Sequence, residues 1–179
     1  MSFSAPMRDG AVRLEPLAEA HREALRSACA EDPDIWSVYP ISFAGAAFDP
    51  NFDACLEGRN AAAFAVFDGE RLVGMTSYLR VDETNRSLEI GRTYIAPSVR
   101  GTDLNRRMKC LMLDRAFRHG FARVELRVDT RNTRSIAAVE KLGAVHEGTL
   151  RRNRVTWTGF VRDTAIYAIL ADEWSARGA

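Results

Sequence analysis

The chain is poor in the residues that announce several familiar chemistries. Its three cysteines, Cys29, Cys55 and Cys110, are odd in number and far apart, so they define neither a disulfide framework nor a metal knuckle. His21, His119 and His146 have no partner at i, i+4 spacing for zinc, and no hydrolase triad can be assembled from them. A surplus of one charge is also missing. The formal net charge of +1 argues against a nucleic-acid partner. No apolar run approaches a membrane span and no signal-peptide core opens the chain, so the cytoplasm is the expected compartment and no membrane partner is implied. Neither G-x-x-x-x-G-K-[ST] nor G-x-G-x-x-G occurs, which removes the commonest nucleotide loops. Repeats, low-complexity tracts and linkers are absent too. One domain over Ala11 to Trp174 is therefore expected, with tails at 1–10 and 175–179.

What remains is an ordinary globule, 46% hydrophobic and 27% charged over 179 residues. Such a length can bury roughly 70% of its unfolded surface. Taken in order, Ala11 to Leu14 reads as a strand and Leu17 to Ala30 as a helix, and Asp32-Pro33 starts a short helical turn. Trp36 to Phe52 carries five aromatics among glycine and prolines: a loop pinned to the core, or a substrate wall. A short helix over Phe52 to Leu56 is expected to follow. Ala61 to Phe67 and Arg71 to Leu79 form a hairpin across Asp68-Gly69-Glu70. A second turn at Asp82 to Arg86 extends the meander. Val124, Leu126 and Val128 alternate with charges as a half-buried strand. Asn132 to Leu142 is a helix, and a long hairpin across Thr158-Gly159 closes the chain.

The organising stretch is Ser87 to Gly120, a strand, a Pro97 turn, a glycine-containing loop and a long amphipathic helix. Leu104, Met108, Leu111, Met112 and Phe117 recur on one helical face, and Gly120 supplies a left-handed stop. Because this helix lies between two strands, a parallel crossover is expected. At the helix start, Arg100-Gly101-Thr102 presents amides that lack internal partners. Together with arginines and the positive dipole end they make a place for an anion, most naturally a phosphate.

This stretch resembles motif A of the Gcn5-related N-acetyltransferases (GNAT), whose pyrophosphate loop reads [RQ]-x-x-G-x-[GA], with Arg100 at its first position. Asn132-Thr133-Arg134-Ser135 and Glu140-Lys141-Leu142-Gly143 resemble the family's N-x-x-S and E-K-L-G signatures. Glu89-Ile90-Gly91, Gly101-Thr102, Asn105, Lys109 and Arg162-Asp163-Thr164 are similar to the ribosomal-protein N-terminal acetyltransferase (RimJ/RimL-like) branch. The resemblance covers about Ala11 to Trp174. It departs at the loop's central glycine, which is Asp103 here; that carboxylate either points into the loop against a pyrophosphate or turns outward to cap the helix.

The resemblance implies an α/β (α+β) chain in the GNAT acyl-CoA N-acyltransferase fold, a mixed sheet of about seven strands flanked by helices. It further implies acetyl-CoA as cosubstrate without a metal, and an amine acceptor, foremost a protein N-terminus. Backbone amides of Gly101, Thr102, Asp103, Leu104 and Asn105, with Arg100 and Arg106, would hold the pyrophosphate. Tyr94 and Ile95, beside a family bulge, would bond the pantetheine, and one amide there would polarise the thioester. Asn132 would bond pantetheine amides or cap its helix. Ser135 is the candidate donor to the leaving thiolate, or a hydroxyl bonding local backbone. Glu89 is the candidate base, or a structural ion pair. Tyr167, in the last strand, is read as core. The terminal strands are compatible with a homodimer. Three other readings compete: a non-catalytic sensor or scaffold with a loop weakened by Asp103, an acetyltransferase of antibiotics or polyamines, and another anion-binding α/β protein such as a phosphate or nucleotide module, for which every nucleotide motif is lacking here.

Overall fold

A computed structural model of the protein describes residues 3–58 and 61–176. Met1, Ser2 and residues 177–179, the ends of the expected tails, lie outside the described residues. Its strands are β1 (Met7–Asp9), β2 (Val12–Pro16), β3 (Ala61–Asp68), β4 (Arg71–Asp82), β5 (Ser87–Ile95), β6 (Arg123–Asp129), β7 (Val145–Val155) and β8 (Val161–Leu170). They form one sheet in the order β1-β2-β3-β4-β5-β6-β8-β7. Among the described residues five α-helices accompany it: α1 (Arg22–Ala30), α2 (Phe48–Glu57), α3 (Leu104–Arg118), α4 (Thr133–Lys141) and α5 (Ala171–Ser175).

The β3–β4 hairpin turns at Gly69, whose φ of 59° is the left-handed geometry the Asp-Gly pair predicts. β5 and β6 are parallel, as the intervening α3 requires. Every other strand pair is antiparallel. Period-2 alternation then divides the core between the two sheet faces. Phe64 and Val66 of β3 meet Met108, Met112 and Leu113 of α3 on one face; Ala65 and Phe67 meet Leu25, Phe48 and Phe52 on the other.

Several expectations need correction. Part of the first ten residues is folded rather than a tail, because β1 pairs along β2 and Met7 is buried. Phe3 stacks on Tyr78 with ring centroids 4.4 Å apart. This strand brings the sheet to eight. The helix read from Leu17 begins only at Arg22, after a 3-10 turn over Glu19–His21 in which the Ala18 amide donates to His21 Nδ1 at 3.1 Å. α2 begins at Phe48, four residues early. Pro50 is no obstacle there, since a first-turn amide has no intrahelical acceptor to lose. Trp36, Phe43, Phe48 and Phe52 all lie in the core, the last two on α2, while Trp36, Tyr39 and Phe43 also line the cleft described below, so the segment is both pinned to the core and part of a wall.

Candidate active site

β5 and β6 pair at only three positions, Ser87 with Arg123, Leu88 with Val124 and Glu89 with Glu125. Beyond Glu89 they part, and the reason lies in β5. Its register against β4 slips, so that Ser77 faces Gly91 while Met75 faces Tyr94. One extra residue is absorbed by a bulge at Arg92, whose φ is 50°. The slip reverses the faces: Leu88 and Ile90 point to the α3 core, whereas Tyr94 points to the α1–α2 core. Gly74 makes the arrangement possible, since a Cβ there would sit 2.0 Å from the Tyr94 carbonyl oxygen. The bulge that the family resemblance implies is thus present, and the gap it opens is a cleft of about 1210 Å³.

One end of the cleft is the loop ahead of α3. Gly101 adopts φ 82°, and the Thr102 hydroxyl donates to the Val99 carbonyl at 2.8 Å while accepting the Leu104 amide at 3.3 Å. Among the described residues, the amides of Gly101, Thr102, Asp103, Asn105 and Arg106 have no protein acceptor. Such amides at a positive helix end suit an anion. Asp103 makes no cap; its carboxylate is well exposed and lies 3.9 Å from Arg107, and the residue lines the cleft. The capping hydroxyl is Thr102 instead. Arg100 is held on three sides: Nε donates to the Ile95 carbonyl at 3.1 Å, the guanidinium pairs with Asp32, and its carbon lies 5.7 Å from the centre of the Tyr94 ring. Across the cleft, Asn132 caps α4 by accepting the Ser135 amide at 3.1 Å. Among the described residues the Ser135 hydroxyl has no protein partner, and Ser135 lines the cleft.

At the other end lies Glu89, buried, with Arg80 at 3.0 Å and Arg127 at 3.6 Å. Burial pushes its carboxyl above the usual range; the two guanidiniums oppose that shift. Lys109 of α3 is buried as well, and its Nζ donates to Thr93 Oγ1 at 2.6 Å. Desolvation pulls its ammonium down to about 7, against the counter-pull of Glu89. The Tyr39 hydroxyl donates to the Thr93 carbonyl at 2.7 Å, fixing the loop after α1 over the bulge.

Ten of the residues singled out from sequence therefore line one cleft: Glu89, Ile95, Arg100, Gly101, Thr102, Asp103, Asn105, Arg106, Asn132 and Ser135. Tyr94 and Leu104 do not. Their side chains are buried in the two cores, and the Leu104 amide is taken by Thr102. Tyr167 is core, with its hydroxyl 3.1 Å from Glu140. Lys109, Thr93 and the arginines of β6–β8 were not recognised as site residues. For Lys109 a signal existed, since Lys109, Met112, Leu113 and Ala116 follow the i, i+3, i+4, i+7 spacing of a buried face.

A sheet split beside an amide-lined helix start is the arrangement that the resemblance to an acyl-CoA-dependent transferase implies. The GNAT acetyltransferase domain model matches residues 11–145, and the chain belongs to the GNAT family of N-acetyltransferases. It is similar to a probable acetyltransferase of that family from Chromobacterium violaceum ATCC 12472, with 31% identity, TM-score 0.88, and coverage of 96% of this chain and 89% of that one. A GCN5-related N-acetyltransferase from Brucella melitensis is 29% identical with TM-score 0.87, covering 97% and 81%. RimL, a ribosomal L7/L12 alpha-N-protein acetyltransferase, shares the fold at 17% identity and TM-score 0.81, covering 90% and 91%. No curated protein sequence matches. Among the described residues, no helix is long and apolar enough to cross a membrane.

Proposed function

We propose that this N-acetyltransferase, acting in the cytoplasm, carries the acetyl group of acetyl-CoA to the N-terminal α-amine of a protein or peptide, as the RimJ/RimL-like branch does. The observation that carries the reading is the split between β5 and β6, with free amides at one end and a buried carboxylate at the other. The amides of Gly101, Thr102, Asp103 and Asn105, with Arg100 and Arg106, hold the pyrophosphate. The strand beyond the bulge aligns the pantetheine, and one of its amides polarises the thioester carbonyl. The amine nitrogen attacks that carbon directly, the carbon–sulfur bond breaks, and CoA leaves with the electron pair. Ser135 donates to the departing sulfur, and the proton lost by the amine passes to Glu89.

An α-amine suits this site because its pKa of ~8 leaves far more neutral amine at pH 7 than a lysine at ~10.4. A carboxylate raised by burial is still a modest base, which suffices for an α-amine. Against the sensor reading, the amides of Gly101, Thr102, Asp103, Asn105 and Arg106 have no protein acceptor among the described residues, and Arg107 lies 3.9 Å from the Asp103 carboxylate. Arginines Arg92, Arg127, Arg154 and Arg162 on the cleft wall disfavour a polyamine. The test is release of free CoA from acetyl-CoA with unblocked peptides and with the same peptides N-terminally blocked. Release with the unblocked set alone supports the reading. Equal release with both, or activity confined to polyamines, rejects it.

A further inference from the structure

The cleft holds more positive charge than an uncharged acceptor can use, and its most unusual feature is a pair of arginines. Arg154 of β7 and Arg162 of β8 stand directly opposite each other in the antiparallel ladder. Like charges at such positions are destabilising. Arg162 is only 5% exposed, and both line the cleft. The nearest carboxylate, Asp129, is 4.0 Å from Arg162 Nε and is already engaged by Arg131 at 2.8 Å. Arg162 Nε donates to Thr164 Oγ1 at 3.0 Å, and among the described residues its two terminal nitrogens have no protein acceptor. Arg154 has no ion-pair partner among the described residues. Burial and the field of Arg154 both hold Arg162 below its ordinary range; Asp129 opposes them only partly. The other carboxylate of this wall, Glu89, is shared between Arg80 and Arg127. A buried, forked cation facing a second cation across a ladder is completed by a bidentate anion.

We propose that the acceptor is an anionic amine, carrying a carboxylate a few bonds from its amino group, and that Arg154 and Arg162 are specificity residues that clamp this carboxylate. The proposal rests on the amine-acetylation reading above and narrows it. The clamp sits on β7–β8, beyond β6 from the amide loop, so it is separate from the pyrophosphate end. An acidic side chain near a peptide N-terminus and a free acidic amino acid both offer this chemistry.

The test uses the full chain and two peptides that differ only as Asp or Asn at the second position, with free aspartate and its diamide, which has no carboxylate, as a second pair. Each is assayed for kcat/KM and, with CoA present, for Kd by calorimetry. The expected result is a preference of tenfold or more for the acidic member of at least one pair; which pair responds identifies the source. Arg154→Gln and Arg162→Gln should each bring that ratio close to one while leaving the KM for acetyl-CoA within twofold. If Arg162→Gln does not fold, the exposed Arg154→Gln decides alone. Equal binding of acidic and amide members, a ratio that survives Arg154→Gln, or a loss confined to acetyl-CoA affinity overturns the proposal. Selective binding of the acidic member without any turnover would uphold the clamp and refute the transfer reading.

Discussion

Lys109 offers a quantitative test of the cleft's electrostatics. Its ammonium is buried between α3 and the β5 bulge, and burial lowers it from 10.5 to about 7. Between those values the unfolded chain carries a proton that the folded chain does not, so stability rises with pH across that window. From pH 7 to pH 8.5 the gain from this group alone is about 1.5 kcal/mol. For a domain of this size that corresponds to a rise in Tm of roughly 3–6 °C. Lys109→Met keeps the volume and removes the titration, and Thr93 retains Thr76 as a hydroxyl partner at 2.8 Å. Thermal unfolding by circular dichroism should show the rise in the parent and lack it in the variant, which should also melt higher at pH 7. Raised thiols such as Cys29 and Cys55 titrate equally in both chains and cancel in the comparison. Parallel pH profiles for the two chains would refute the assignment of a neutral, buried Lys109.

Three further substitutions probe the architecture and the roles assigned to the cleft. Ser135→Ala should lower kcat by about tenfold with little change in the KM for acetyl-CoA, since its hydroxyl acts on the departing sulfur; steady-state kinetics that show the reverse would sink that role. Arg100→Ala should raise that KM by about tenfold with a smaller effect on kcat, and should cost about 1 kcal/mol in urea unfolding as its pairing with Asp32 is lost. Gly74→Ala should cost more than about 3 kcal/mol or abolish folding, because the new methyl meets backbone, and a well-folded variant would contradict the close approach to Tyr94.

Where local chemistry dictated the outcome, the fold was legible. Asp68-Gly69 announced its hairpin, the long stripe of α3 implied the parallel crossover, and Gly120 marked the end of that helix. The three-residue β1 was not legible, because only Met7 is buried and no alternation can be seen in so short a segment. The bulge at Arg92 left no mark of its own. Its traces are Gly74 and Gly91, two strand glycines whose missing side chains admit the Tyr94 carbonyl and the Glu89 carboxylate. The loop residues were identified because a helix start exposes amides wherever it occurs. Lys109 was passed over because a lysine is read as surface by default, even on a face whose other members are buried. The arginine pair was invisible for another reason: only the register of β7 on β8 brings Arg154 opposite Arg162.

The central claim is that the split between β5 and β6 receives acetyl-CoA. Thermal unfolding with acetyl-CoA, and with ATP as the control polyphosphate, tests it most directly. At a hundredfold excess over its Kd a ligand stabilises the folded state by ~2.7 kcal/mol. The predicted result is a rise in Tm of roughly 5–10 °C with acetyl-CoA and none with ATP. An unchanged Tm with both, or an equal rise with both, would contradict the account.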